Sequence, residues 1–221
     1  RGDYICFLDS DDVFENDKIK KQLLFMETNN YVLSYGSYKV IDEFDNIKYS
    51  YKTKNQSGYI LKELLERYEV NFQTVMFKRE LVYKHEINFD EKLVYTPDYD
   101  FIMRVVSKFE IGVINDYLSR YRKYDNSLST KSLKLIYPEN KFTLDSISKD
   151  LSLLNSNNKY FNLAYKKLFY YNSLQFIYSN DYKKARIEIK KTKFIRIQYL
   201  ILYILLFINI PKKYILKILK R

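Results

Sequence analysis

Three aspartates close an apolar run near the start of the sequence. In "YICFLDSDD" (4–12), Asp9, Asp11 and Asp12 fall within four positions, directly after five apolar or aromatic residues. Carboxylates this close repel one another, and burying them without partners is costly. Two readings account for the cluster. Hard divalent cations such as Mg²⁺ or Mn²⁺ take carboxylate oxygens and are commonly shared with substrate phosphates, so the trio could hold a metal that in turn holds a diphosphate. Alternatively, Asp-Ser-Asp-Asp is simply a turn that caps the following helix, since all of these residues favour such positions.

The elements that must present these carboxylates follow from the patterning. "YICFL" (4–8) has the continuous apolar character of a strand covered on both faces in a parallel sheet. The spacing predicts a helix over 15–30, with Asp17 as N-cap, Ile19, Leu23 and Met26 as its apolar face, and Asn29 and Asn30 ending it. A strand over 31–42 continues into a hairpin over 43–52 that turns at Asp45-Asn46. A helix over 59–68, a short strand over 72–77 and a short helix over 78–86 follow. Pro97 suits the first turn of a helix over 97–109, with Phe101, Val105 and Phe109 as its stripe. Two edge segments, 111–115 and 118–124, finish an α/β region. In an open sheet of that class, ligands sit at the carboxyl ends of strands, where the aspartates lie.

Beyond the Ser/Thr/Asn loop 125–130 the character becomes helical, with helices expected at 138–154, 159–179 and 181–193 and an interruption at "NSNN" (155–158). The expected organisation is an α/β domain over 1–130, a helical extension over 131–193 and a separate tail over 194–221. Few Gly and Pro, four and three, favour helices over a turn-rich all-β fold. The single Cys6 has no disulfide partner and is expected to be a small core residue, which suits a reducing compartment. The single His85 has no second His or Cys with which to make a zinc site.

Charge is concentrated at one end. Residues 183–221 hold twelve Lys or Arg and one acid, so the +11 of the whole chain belongs to that segment and residues 1–182 balance to zero. Within it, "IQYLILYILLFINI" (197–210) carries no charge but is too short for a simple crossing, which needs about 20 apolar residues. Basic residues flank it on both sides, and "PKKYILKILKR" mixes apolar pairs with Lys, as a cationic interfacial helix would. The partner expected is a membrane surface. Nucleic acid is not expected, because the charge is not interleaved with a recognisable reading module.

The residues 1–130 resemble family 2 glycosyltransferases of the GT-A fold. "RGDYICFLDSDDVFENDKIKKQ" is similar to that family's central motif. "FQTVMFKREL", "INFDEKLVYTPDYDFIMRV" and "YLSRYRKYDNSLS" follow in the family's order. The resemblance implies an incomplete GT-A, Rossmann-like core with a helical C-terminal extension. The chain opens on Arg1 with no signal peptide or leading linker, which suggests a fragment, and the resemblance implies a nucleotide-binding half upstream. It implies transfer of a sugar from a nucleotide-diphosphate sugar, UDP-linked by analogy, to a hydroxyl of a glycan or lipid-linked acceptor. The site would comprise Asp98 as base, Asp9, Asp11 and Asp12 at Mn²⁺ or Mg²⁺, and Asp9, Asp11 and Arg122 at the donor. Asp100 is the weaker candidate base, and Arg104 and Arg120 could meet a phosphate, with a surface or structural ion pair as their default reading. Pro97 stands where the family usually has Glu. The expected location is the cytoplasmic face of a membrane, in surface-glycan synthesis. The rival readings are a non-catalytic membrane-bound scaffold of the same fold and a basic nucleic-acid-binding protein.

Overall fold

The computed structural model describes residues 2–124, 133–208 and 210–219. It divides into two compact units, residues 1–91 with 97–127 and residues 92–96 with 128–221. The loop expected over 125–130 lies outside the described residues.

The first unit is built on β3 (Leu33–Ile41), the strand that sits at the middle of a six-stranded sheet. Seven of its nine residues are buried, as a strand at the middle of a sheet requires. β3 pairs antiparallel with β4 (Ile47–Tyr51) and β5 (Met76–Lys78), and parallel with β6 (Gly112–Arg122). β1 (Tyr4–Ile5) joins the free side of β5, and β2 (Val13–Phe14) the free side of β6, both antiparallel. The hairpin turns as expected. Asp42 Oδ1 accepts from the N–H groups of Phe44 and Asn46 at 2.9 Å each, and Asp45 takes a φ of 67°.

Three expectations are corrected here. The first strand is two residues long rather than five, and its pairing is antiparallel. Phe7 and Leu8 are exposed, because the chain leaves the sheet to make the acidic turn. The segments 111–115 and 118–124 are one interior strand, not two edges. The register jumps from Gly36↔Ile114 to Ser37↔Tyr117, so Asn115 and Asp116 form a bulge that breaks the apolar pattern without breaking the strand. The 72–77 segment begins as a 3₁₀ turn (Phe72–Thr74), which Asn71 caps by accepting from Gln73 N–H at 3.1 Å; only then does β5 start.

Helix α1 (Lys18–Asn29) ends as expected, on Asn30 in the left-handed region, but buries a different face. Lys18, Gln22 and Met26 are buried, while Ile19 is exposed. The inward polar groups serve the sheet. Gln22 Nε2 donates to Thr74 O at 2.8 Å and to Ser34 Oγ at 3.0 Å. Lys18 Nζ lies 4.3 Å from the Phe14 ring centre and 3.5 Å from Cys6 Sγ, and donates to Val75 O at 3.4 Å. Asp17 holds the N-cap position with no side-chain capping bond, and pairs instead with Lys21 at 2.7 Å. The short helices α2 (Leu61–Glu66) and α3 (Glu80–Tyr83) and the longer α4 (Pro97–Val106) complete this unit. Phe101 and Val105 of α4 are buried as expected. Phe109 falls past its end.

The second unit is helical: α5 (Leu133–Ile147), α6 (Leu151–Tyr178), α7 (Tyr182–Lys191), α8 (Ile197–Phe207) and α9 (Lys212–Leu219). The "NSNN" interruption is absent. Those residues lie inside α6, because Ser156 Oγ and Asn157 Nδ2 bond back to the carbonyls of Ser152 and Leu153. Nor do α8 and α9 stand apart. Tyr199, Leu202, Leu206 and Ile215 share one core with Leu174, Ile177, Ala185 and Ile189 of α6 and α7.

Candidate active site

The acidic stretch is a turn slung between β1 and β2. Asp12 N–H donates to Asp9 O at 3.1 Å and closes it. On one side, Asp9 N–H donates to Gln73 Oε1 at 3.1 Å. On the other, Asp12 Oδ1 accepts the backbone N–H of Arg122 at 2.7 Å. The Arg122 guanidinium wraps the outside of the turn: Nε donates to Asp11 O at 2.7 Å, one terminal nitrogen to Asp42 O at 2.7 Å, and the other to Asp45 Oδ1 at 2.6 Å. Expected at the donor phosphates, Arg122 has all three nitrogens bonded within the protein and shapes the turn.

This anchoring separates the trio. Asp12 is buried, and Asp9 and Asp11 are exposed. Burial, reinforced by Asp11 and Asp9 and opposed by the Arg122 N–H, pushes the Asp12 carboxyl up to about 6. Its second oxygen is buried with no hydrogen-bond partner among the described residues. Among the described residues the Asp9 and Asp11 carboxylates have no protein partner either, and no cluster of three or more His, Cys, Asp or Glu side chains forms a ready cage for a metal. Two exposed carboxylates, with a buried and unpartnered carboxylate oxygen elsewhere in the same turn, are nonetheless a hard donor set. They fit Mg²⁺ or Mn²⁺ bound through one or two carboxylates with phosphates and water completing the shell.

Glu15, which nothing in the sequence pattern singled out, fastens β2 to the sheet. Its carboxylate accepts from Lys39 Nζ of β3 at 2.9 Å and from Arg120 Nε and a terminal nitrogen of β6 at 3.1 and 3.0 Å. Arg120 bonding, helped by Lys39 and opposed by burial, holds the Glu15 carboxyl down to about 2. Arg120 is thus a structural partner. So is Arg104, which pairs with buried Asp100 at 2.7 Å and also donates to Asn88 O.

Asp98 stands in the first turn of α4, half-buried. Burial raises its carboxyl above the usual range; its own N–H and that of Tyr99 oppose the rise, and the charge of Asp9 adds to it. The fold therefore brings Asp98 into electrostatic reach of the acidic turn, although the two are far apart in sequence. Beside it, Tyr68 packs edge-on against Tyr99, with ring centres 4.9 Å apart. The Tyr68 hydroxyl is buried with no hydrogen-bond partner among the described residues, and Asp98 helps burial to raise it well above the phenol range. Asp100, tied to Arg104, is accounted for as a structural acid.

A mixed α/β sheet, an acidic turn at a strand end and a carboxylate on a neighbouring helix define a GT-A type of unit. The same fold recurs in the crystal structure of S. aureus TarS 1-349 in complex with UDP-GlcNAc, at a TM-score of 0.55 and 14% identity, covering 87% of this chain and 58% of that one. Residues 1–86 match the model for glycosyl transferase family 2. An uncharacterized glycosyltransferase of Rickettsia felis is 36% identical over 121 residues, 55% of this chain and 20% of the relative. An uncharacterized glycosyltransferase of Methanocaldococcus jannaschii, MJ1057, is 30% identical over 189 residues, 80% of this chain and 60% of the relative. The UDP-Glc:alpha-D-GlcNAc-diphosphoundecaprenol beta-1,3-glucosyltransferase WfgD of Escherichia coli is 28% identical over 135 residues, 60% of this chain and 51% of the relative. The chain spans only about a fifth of the length of the Rickettsia relative that it matches.

Proposed function

We propose that the protein containing this chain transfers a sugar from a nucleotide-diphosphate sugar, of the UDP class, to a hydroxyl of a glycan or lipid-linked acceptor at the cytoplasmic face of a membrane. The observation that carries the reading is the acidic turn after β1, which leaves Asp9 and Asp11 exposed within the residues 1–86 that match glycosyl transferase family 2. Asp98, half-buried in the first turn of α4, has a carboxyl that burial raises above the usual range, as a general base for an acceptor hydroxyl requires. The UDP-GlcNAc bound in the TarS structure and the UDP-Glc in the name of WfgD support a nucleotide-sugar donor. The diphosphoundecaprenol in the name of WfgD supports a lipid-linked acceptor.

In this reading Asp98 accepts the proton of the acceptor hydroxyl. Its partial burial raises its proton affinity above that of a surface aspartate, which makes it the better base. The oxygen so activated attacks the anomeric carbon opposite the departing diphosphate, which inverts its configuration. Asp9 and Asp11, in the same turn as the orphaned oxygen of Asp12, would hold Mn²⁺ or Mg²⁺. That ion would supply neutralisation of the charge developing on the leaving phosphate. Arg122 and Gln73 keep the turn in shape.

The test is Asp98→Asn in the full-length protein. Transfer should fall by about 10²–10⁴-fold while manganese-dependent UDP binding is retained. Transfer by Asp98→Asn at the wild-type rate, or failure of the wild-type protein to bind any UDP-sugar with manganese present, refutes the reading.

A further inference from the structure

Helix α8 is apolar on both of its sides. Tyr199, Leu202 and Leu206 are buried in the core of the helical unit. Away from them lie Ile197, Leu200, Ile201, Ile204, Phe207 and Ile208, all exposed, Ile197 by 71% and Phe207 by 66%. At ~100° per residue these six fall within an arc about 120° wide, centred opposite the buried three. A helix lying on a water-soluble protein places charges on that side. Between Ile197 and Phe207 there is no Asp, Glu, Lys or Arg at all.

The charge is moved to the ends of the stripe. Lys190, Lys193 and Arg196 are exposed before it, and Lys213 after it. The shorter α9 repeats the arrangement, with Ile215 buried and Tyr214 and Ile218 exposed one turn apart. A smooth apolar stripe bordered only by cations asks for an occupant that is apolar in its interior and anionic at its surface. A second copy of the chain fits poorly, because it would bring the twelve basic residues of 183–221 against twelve more. Among the described residues no helix is long and apolar enough to cross a membrane. The 11 residues of α8 reach ~16 Å, about half the ~30 Å hydrocarbon thickness.

We infer that the exposed side of α8, bordered by Lys190, Lys193, Arg196 and Lys213, docks on an anionic lipid bilayer with the helix lying in the plane of the headgroups. The stripe sits at the acyl boundary and the cations meet lipid phosphates. Because its inner side is already packed, α8 enters the surface as a preformed part of the helical unit and no helix must fold on binding. The inference concerns this unit alone and does not depend on the role of Asp98.

The experiment is sedimentation of the 221-residue chain with vesicles of mixed phosphatidylglycerol and phosphatidylcholine, and with vesicles of phosphatidylcholine alone. Binding is expected to the mixed vesicles and to weaken with added salt. Ile204→Glu with Phe207→Glu should abolish it, with the fold checked by circular dichroism. Lys193→Gln with Arg196→Gln, two solvent-facing changes that spare the core, should lower the partition coefficient about 30-fold, from about fivefold per basic residue near the surface. Equal binding to both kinds of vesicle, or wild-type binding by either double variant, overturns the inference. So does a concentration-dependent dimer, seen by ultracentrifugation without lipid, that Ile204→Glu with Phe207→Glu dissociates.

Discussion

Glu15→Gln tests whether the acidic turn depends on its distant clamp. The carboxylate is 15% exposed and holds Lys39 and Arg120 across three strands. Bonding to Arg120, then to Lys39, outweighs burial and lowers its pKa from 4.5 to about 2. At about 1.4 kcal/mol per unit that shift corresponds to ~3 kcal/mol, and the partial exposure of Arg120 brings the expectation to ~2–3 kcal/mol. Between about 4.5 and about 2 the unfolded chain takes up a proton that the folded chain resists. The stabilisation is therefore complete above about 4.5 and is lost as pH falls through about 2. Urea unfolding followed by circular dichroism near neutral pH should show Glu15→Gln less stable by ~2–3 kcal/mol. The gap should narrow steadily in buffers below about 4.5. A penalty under ~0.5 kcal/mol, the size of an ordinary surface change, or one that does not vary with pH would refute the reasoning.

Two further substitutions probe the frame around the site. At Gly36→Ala the new Cβ would fall 2.6 Å from Leu118 Cδ1 and 2.7 Å from the backbone oxygen of Ile114. Since the neighbouring strand cannot step aside, thermal or urea melts should show a loss of ~1–3 kcal/mol, and an unchanged midpoint would contradict the strand packing. Arg122→Gln removes the guanidinium that grips the turn at Asp11 O and Asp42 O, and should weaken manganese-dependent UDP binding about 10–100-fold in calorimetry. Unaltered affinity would mean that the turn holds its shape without it.

What the sequence made legible follows the range of the forces involved. Local chemistry was readable. Asn30 ends α1 in the left-handed region, Asp45 turns the hairpin, and Pro97 opens α4, because each choice is made by a residue's own backbone. Faces were harder. The apolar spacing of α1 pointed to Ile19, but the side turned inward carries Lys18 and Gln22, whose polar ends meet carbonyls at Val75, Ser34 and Thr74. Periodicity counts apolar residues and cannot see a hydrogen-bonding need that comes from a strand some fifty positions away. The same blindness split β6 at Asn115-Asp116 and broke α6 at "NSNN": in both places polar residues were read as ends, although a bulge or side-chain bonds to the helix backbone accommodate them. Glu15 left no local trace, because both its partners lie on strands remote in sequence.

The acidic motif itself shows how far a short pattern can be trusted. Its existence could be read from nine residues, but the division of labour within it could not. Three like-charged side chains in four positions invite a symmetrical interpretation, with all of them as ligands. The fold breaks that symmetry by spending one oxygen of Asp12 on the backbone of Arg122 and burying the other. Burial raises the Asp12 carboxyl to about 6, and its neighbours Asp9 and Asp11 contribute to that rise. The turn is thus better described as two exposed carboxylates built on one inward anchor than as a row of three equivalents, and the anchoring falls to Gln73, Arg122 and Glu15, residues that only the folded chain brings together.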